Sequence, residues 1–113
     1  MGSRGILGGY KMSKYNTRNL VNPYSGLIEK VVNQYGLTFH KHWTGFKDKE
    51  YKELIKFEDC LSNFYLWIYI IDGKKAHKVE LRDSRTAELI AVSEGNTTPL
   101  QTWKLVKEVM KNV

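Results

Sequence analysis

Cysteine occurs once, at Cys60, so no disulfide can be closed within the chain and the fold must rest on burial. Proline occurs only at 23 and 99, and both positions read as helix starts. The longest apolar run, Phe64 to Ile71, falls far short of the roughly 20 residues that a membrane-spanning helix needs. A Gly-rich phosphate loop, a Cys-x-x-Cys and a His-Glu-x-x-His are all missing, and neither Met1 nor Met12 is followed by a secretory signal pattern. These absences point to a cytoplasmic protein without cofactor, membrane contact or enzymatic activity.

What is present is 113 residues, 13.2 kDa, with 42% hydrophobic and 27% charged residues, which suits one globular domain with one modest core. The formal charge is +6, a bias toward polyanionic partners. Residues 1–11 (MGSRGILGGYK) are Gly-rich and aperiodic and read as an added leader. Residues 12–113 then form a single DNA-binding domain with a charge of +4.

The segment 12–21 is polar and basic and is expected to be an extended arm. Asn22-Pro23 opens an amphipathic helix with Tyr24, Leu27, Ile28, Val31, Val32 and Tyr35 on its apolar side and Gly36 as its stop. The alternation of Leu37 to Trp43 predicts a strand, with Leu37, Phe39, Lys41 and Trp43 on one side and Thr38, His40 and His42 on the other. For residues 47–61 the Lys, Glu and Leu content favours a helix over the competing strand pattern Tyr51, Glu53, Ile55, Phe57.

Residues 64–92 predict a three-stranded antiparallel meander. A two-residue turn at Asp72-Gly73 would pair Ile70 with Lys75, Ile68 with His77, Leu66 with Val79 and Phe64 with Leu81. Leu89 and Ala91 would then lie opposite Leu81 and Val79. Phe64, Leu66, Ile68, Val79 and Leu81 would share a core face. The opposite face, with Tyr65, Trp67, Tyr69, Ile71, Lys78, Glu80, Arg82, Ile90 and Val92, is too apolar to be left wholly to water. Thr98-Pro99-Leu100-Gln101 has the residues of a capping box and starts a C-terminal helix.

Few constellations could carry chemistry. His40-x-His42 has metal-ligand spacing on a strand, but with no companion motif it reads as surface histidine, and no metal is expected. Cys60 reads as a buried structural thiol. The carboxylates from Asp48 to Asp59 alternate with lysines as a solvated face does. Lys74, Lys75, Lys78, Arg82 and Arg85, against Glu80 and Asp83, give a local +3 on a hairpin. A cationic ribbon of this kind can neutralise phosphates, with arginine gripping base edges. Wet turns collect lysine for blander reasons, and that reading competes. Tyr65, Trp67 and Tyr69 could stack unpaired bases, or be covered by a helix or a second subunit.

From Met12 on, the chain is compact, rich in Lys, Asn and Tyr, helical toward its N-terminus, and carries the hairpin IYIIDGKKAHKVELRD where a wing would lie. In this it resembles the TcpK-like accessory DNA-binding proteins of Gram-positive conjugative plasmids. The resemblance implies a winged helix-turn-helix dimer without enzymatic activity, bound near an origin of transfer beside a relaxase. Residues 47–61 could supply only one helix before the hairpin, which moves the contact from a recognition helix to the wing. Lys74, Lys75, Lys78 and Arg82 match that hairpin.

The fold expected is therefore α+β: a small winged-helix-like domain with an N-terminal helix, a three-stranded antiparallel meander and a C-terminal helix, assembled as a homodimer. Double-stranded DNA is the expected ligand, held by Lys74, Lys75, Lys78, Arg82 and Arg85, with Lys41 and the arm 12–21 secondary. The alternative is a protein-binding inhibitor or adaptor of plasmid or phage origin that uses the aromatic face.

Overall fold

The computed structural model describes residues 23–71 and 76–113. In chain order these form helix α1 (Ser25–Tyr35), strands β1 (Thr38–Thr44), β2 (Tyr51–Glu58), β3 (Phe64–Ile71), β4 (Ala76–Asp83) and β5 (Leu89–Asn96), a 3₁₀ turn (Leu100–Thr102) and helix α2 (Trp103–Met110). The strands make one five-stranded antiparallel sheet in sequence order. This overturns the winged-helix expectation. The meander has five strands and not three, and β3 and β4 are central strands, paired on both sides as far as Ile71 with Tyr51 and Ala76 with Asn96. A wing needs a ribbon that projects free of its neighbours, and the described parts of this hairpin lie within the sheet.

The second correction is β2, which occupies most of the segment expected to be helical. Its side chains decide the matter. Ile55 and Phe57 are completely buried, pairing with His42 and Phe39 on one side and Ile68 and Leu66 on the other. That burial outweighs the few tenths of a kcal/mol per residue by which lysine and glutamate favour helix. Lys56 and Glu58, two apart and so on the same face, form an ion pair at 3.2 Å.

The register of β3 and β4 also differs from expectation: Ile70 pairs with His77, Ile68 with Val79, Leu66 with Leu81 and Phe64 with Asp83. The pairing is displaced by two residues because β3 ends at Ile71 and β4 begins at Ala76, a wider gap than a two-residue turn. A shift of two leaves every side chain on its expected face. In β1 a bulge between Phe39 and Lys41 breaks the simple alternation. Phe39 therefore packs on the core with Phe57, and Lys41 and Trp43 turn to the other face.

Both helices cover one face. Leu27, Ile28 and Val31 of α1 and Val106, Val109 and Met110 of α2 enclose Ile55, Phe57, Leu66, Ile68, Ile70, Val79 and Leu81 in one core cluster. Gly36 ends α1 in the left-handed conformation, its N–H bonded to the Val32 carbonyl at 2.9 Å. The capping box is present, with Thr98 N–H donating to Gln101 Oε1 and Gln101 N–H to Thr98 Oγ1, both at 3.1 Å. No helix among the described residues is long and apolar enough to cross a membrane. Cys60 is exposed, lying in the β2–β3 turn and not in the core.

Candidate functional site

Among the described residues no helix covers the second sheet face. Trp43, Tyr51, Tyr65, Trp67 and Tyr69 form a chain of ring contacts across β1, β2 and β3: Trp43–Trp67 5.8 Å, Tyr65–Trp67 5.8 Å, Trp67–Tyr69 6.4 Å and Tyr51–Tyr69 5.0 Å between centroids. Cations lie over these rings. The Lys56 ammonium sits 4.8 Å from Tyr65 and 5.2 Å from Trp67, Lys78 4.8 Å from Tyr69, and Lys41 5.4 Å from Trp43.

Carboxylates complete the face. Glu80 accepts hydrogen bonds from Arg82 Nε at 3.1 Å and Tyr69 OH at 3.0 Å, and its other oxygen is 3.6 Å from Lys78 Nζ. Burial alone would raise the Glu80 carboxyl. The hydrogen bonds from Arg82 and Tyr69 and the nearby charges of Arg82 and Lys78 outweigh it and hold the group below its ordinary value. The Tyr69 hydroxyl is pushed up, by burial first and then by its bond to Glu80.

The expected site residues separate in space. Lys74 and Lys75 lie outside the described residues. Lys78 and Arg82 project onto the open face with Lys41, where Lys56 joins them. Arg85 is exposed in the turn after β4; its N–H donates to Asp83 Oδ1 at 2.8 Å. Seven residue steps along β4, about 24 Å, separate Ala76 from Asp83. The described part of the basic run, Lys78, Arg82 and Arg85, is thus divided between the sheet face and a turn and is not one patch. The aromatic neighbours Trp43 and Tyr51, and Lys56, were hidden from sequence reasoning by the helical reading of 47–61.

At the end of the sheet that carries Ile71 and Ala76, a polar chain runs through the core. Tyr24 OH is 2.7 Å from His77 Nε2, His77 Nδ1 is 3.1 Å from Thr97 Oγ1, Thr97 Oγ1 is 2.8 Å from Thr102 Oγ1, and Thr102 donates to the Thr98 carbonyl at 2.9 Å. The carbonyl can only accept, so the order that satisfies the chain has Thr97 donating to Thr102, His77 Nδ1–H donating to Thr97, and Tyr24 donating to Nε2. His42, edge-on to Tyr24, is bonded to Glu53 at 2.7 Å. Burial, and after it the charge of Glu53, push the Tyr24 hydroxyl up to about 12. His40 lies 3.8 Å from Glu58, so the two histidines of the His-x-His pair engage different carboxylates. Among the described residues no group of three or more potential ligands is arranged to hold a metal.

The charge is distributed unevenly. Of 18 basic and 12 acidic residues, twelve and eleven fall in the described segments, a balance of +1. The remaining +5 belongs to residues 1–22 and 72–75. Comparison with protein-family models, with curated proteins and with solved structures returns no match.

Proposed function

We propose that this protein is a non-catalytic double-stranded DNA-binding protein whose phosphate contacts come from the basic segment 12–22 and from Lys74 and Lys75. The single observation that supports it is the Tyr24–His77 bond. Tyr24 lies two residues past the basic segment and His77 two past Lys75, so the described residues that flank these two stretches meet at one end of the sheet. Arg85 lies at the other end, and Arg82 is engaged by Glu80 and by the Ala87 carbonyl at 2.7 Å, so neither belongs to this contact. The reading rests on charge and not on likeness to winged-helix proteins. That His77 is only 1% exposed with both ring nitrogens engaged supports the non-catalytic part, since its imidazole cannot reach a substrate.

The test is a fluorescence-anisotropy titration of duplex, single-stranded DNA and RNA at two salt concentrations. With Lys14, Arg18, Lys74 and Lys75 on phosphates, duplex affinity should fall roughly a hundredfold between 50 and 200 mM salt. Lys74→Ala with Lys75→Ala should lower the salt slope by about two. Unchanged duplex binding by that double variant sinks the reading.

A second reading, a protein-docking face, is favoured by the composition of the open sheet. Five aromatic side chains, Trp43, Tyr51, Tyr65, Trp67 and Tyr69, lie across it, of the types enriched at protein interfaces, and its charges nearly balance, with Lys41, Lys56, Lys78 and Arg82 against Glu58, Glu80 and Glu94.

A further inference from the structure

We infer that the open sheet face is a dimer interface, and that its occupant is a second copy of this chain packed face to face about a two-fold axis parallel to β3. The inference is independent of the nucleic-acid reading. It starts from the rows of side chains that cross the sheet. One row is Lys41, Lys56, Trp67, Glu80 and Val92 on β1 to β5; a second is Glu58, Tyr65 and Arg82 on β2 to β4. Each row has a central aromatic residue on β3, with a base on one side and an acid on the other.

A two-fold axis along β3 reverses each row onto itself. Strand β2 then faces β4 of the second copy, and β3 faces β3. In the first row Lys56 comes opposite Glu80 of the second copy, and Glu80 opposite its Lys56. In the second row Glu58 comes opposite Arg82, and Arg82 opposite Glu58. All four charge meetings in these two rows are of opposite sign, while Lys41 comes opposite Val92. In a third row, Trp43, Leu54, Tyr69, Lys78 and Glu94, Lys78 comes opposite Leu54 and Glu94 opposite Trp43, so no like charges meet, and Tyr65, Trp67 and Tyr69 face their own copies along the axis. A two-fold contact must be self-complementary in this way. A polyanion would meet the exposed Glu94 and the half-buried Glu58 among the lysines, with the charge of Glu80 just beneath them, and the face offers it little net charge.

Area and exposure agree. Five strands of seven or eight residues present about 600 Å² of flat surface, so pairing two copies buries about 1,200 Å², the lower bound for specific interfaces. Ile90 and Val92, 40% and 47% exposed, extend the apolar surface on the edge strand and would be covered in the same contact. The assembly has four layers, helix, sheet, sheet, helix, with the two sheets packed as in a sandwich.

The test is light scattering and sedimentation over a range of concentration. The wild-type chain should approach twice 13.2 kDa, and Trp67→Lys, which sets two like charges on the axis, should weaken association at least about tenfold. A pair of charge reversals provides a readout independent of the folding of that variant. Lys56→Glu and Glu80→Lys should each associate poorly alone, and an equimolar mixture should dimerise, because each then meets its complement. The inference is overturned by a wild-type chain that stays monomeric, by Trp67→Lys dimerising as the wild type does, or by a charge-reversed mixture that associates no better than its parts. A monomer whose tryptophan fluorescence is quenched by single-stranded oligonucleotides would overturn it in favour of base stacking.

Discussion

Tyr24 and His77, 53 residues apart in sequence, meet hydroxyl to imidazole at 2.7 Å and fasten the start of α1 to a central strand. Tyr24→Phe removes the donor and leaves a buried imidazole nitrogen without that partner. The expected cost is about 1–3 kcal/mol, read as a thermal midpoint lowered by roughly 4–8 °C per kcal/mol. A midpoint within a degree of the wild type would show that the bond contributes nothing net.

Acid should loosen the open face before the core. The Glu80 carboxyl is held below its ordinary value in the folded chain, so the stability it contributes is present above the unfolded pKa of about 4.3 and is lost as pH falls through the folded value. Glu80→Gln should flatten that acid limb in chemical denaturation run at successive pH values. An unaltered limb would assign acid sensitivity to another carboxylate.

The alkaline limb has the opposite sign. The Tyr24 and Tyr69 hydroxyls are both raised, so the folded state keeps protons that the unfolded state releases above about 10. Stability is full below that pH and declines as pH rises through the folded values, about 12 for Tyr24. Tyrosinate absorbance followed against pH should lose its late-titrating component in part on Tyr24→Phe and in part on Tyr69→Phe. No late component for either residue would contradict the burial described.

Ala87, in the β4–β5 turn, has φ 65°, a left-handed conformation that its Cβ disfavours. Its N–H donates to the Asp83 carbonyl at 2.8 Å and its own carbonyl accepts from Arg82, which pins it there. Ala87→Gly should stabilise by about 0.5–1 kcal/mol, measured by denaturant midpoint. Destabilisation would mean that the gain in unfolded-state entropy outweighs the relief.

Thr98→Ala removes one half of the capping box and should cost about 1 kcal/mol, with the loss confined to the C-terminal helix in amide exchange. Uniform loss of protection across the sheet would show that α2 and the sheet open together.

The sequence made both helices legible because their signals are local: a 3.6-residue apolar stripe, Gly36 as a stop, and Thr98 with Gln101 as a box. The two faces of β3 and β4 were legible for the same reason, since alternation survives a register error of two. Strand β2 was not, because KELIKFE is a good helix in isolation and becomes a strand only through partners on both sides. That single misreading concealed Lys56, Trp43 and Tyr51 as members of one surface and left the meander two strands short. The Tyr24–His77 contact had no local signature at all. Lys74 and Lys75, the centre of the expected site, lie outside the described residues.

The ordering of the sheet has a consequence for synthesis. Every strand pairs with the strand made just before it, so each hairpin can close as it leaves the ribosome at little entropic cost. The apolar face of Phe57, Leu66, Ile68 and Val79 is complete, however, before Val106, Val109 and Met110 exist to cover it. A sheet formed without α2 therefore keeps part of its core wet, and a chain stopped short of Val106 would be a substrate for chaperones.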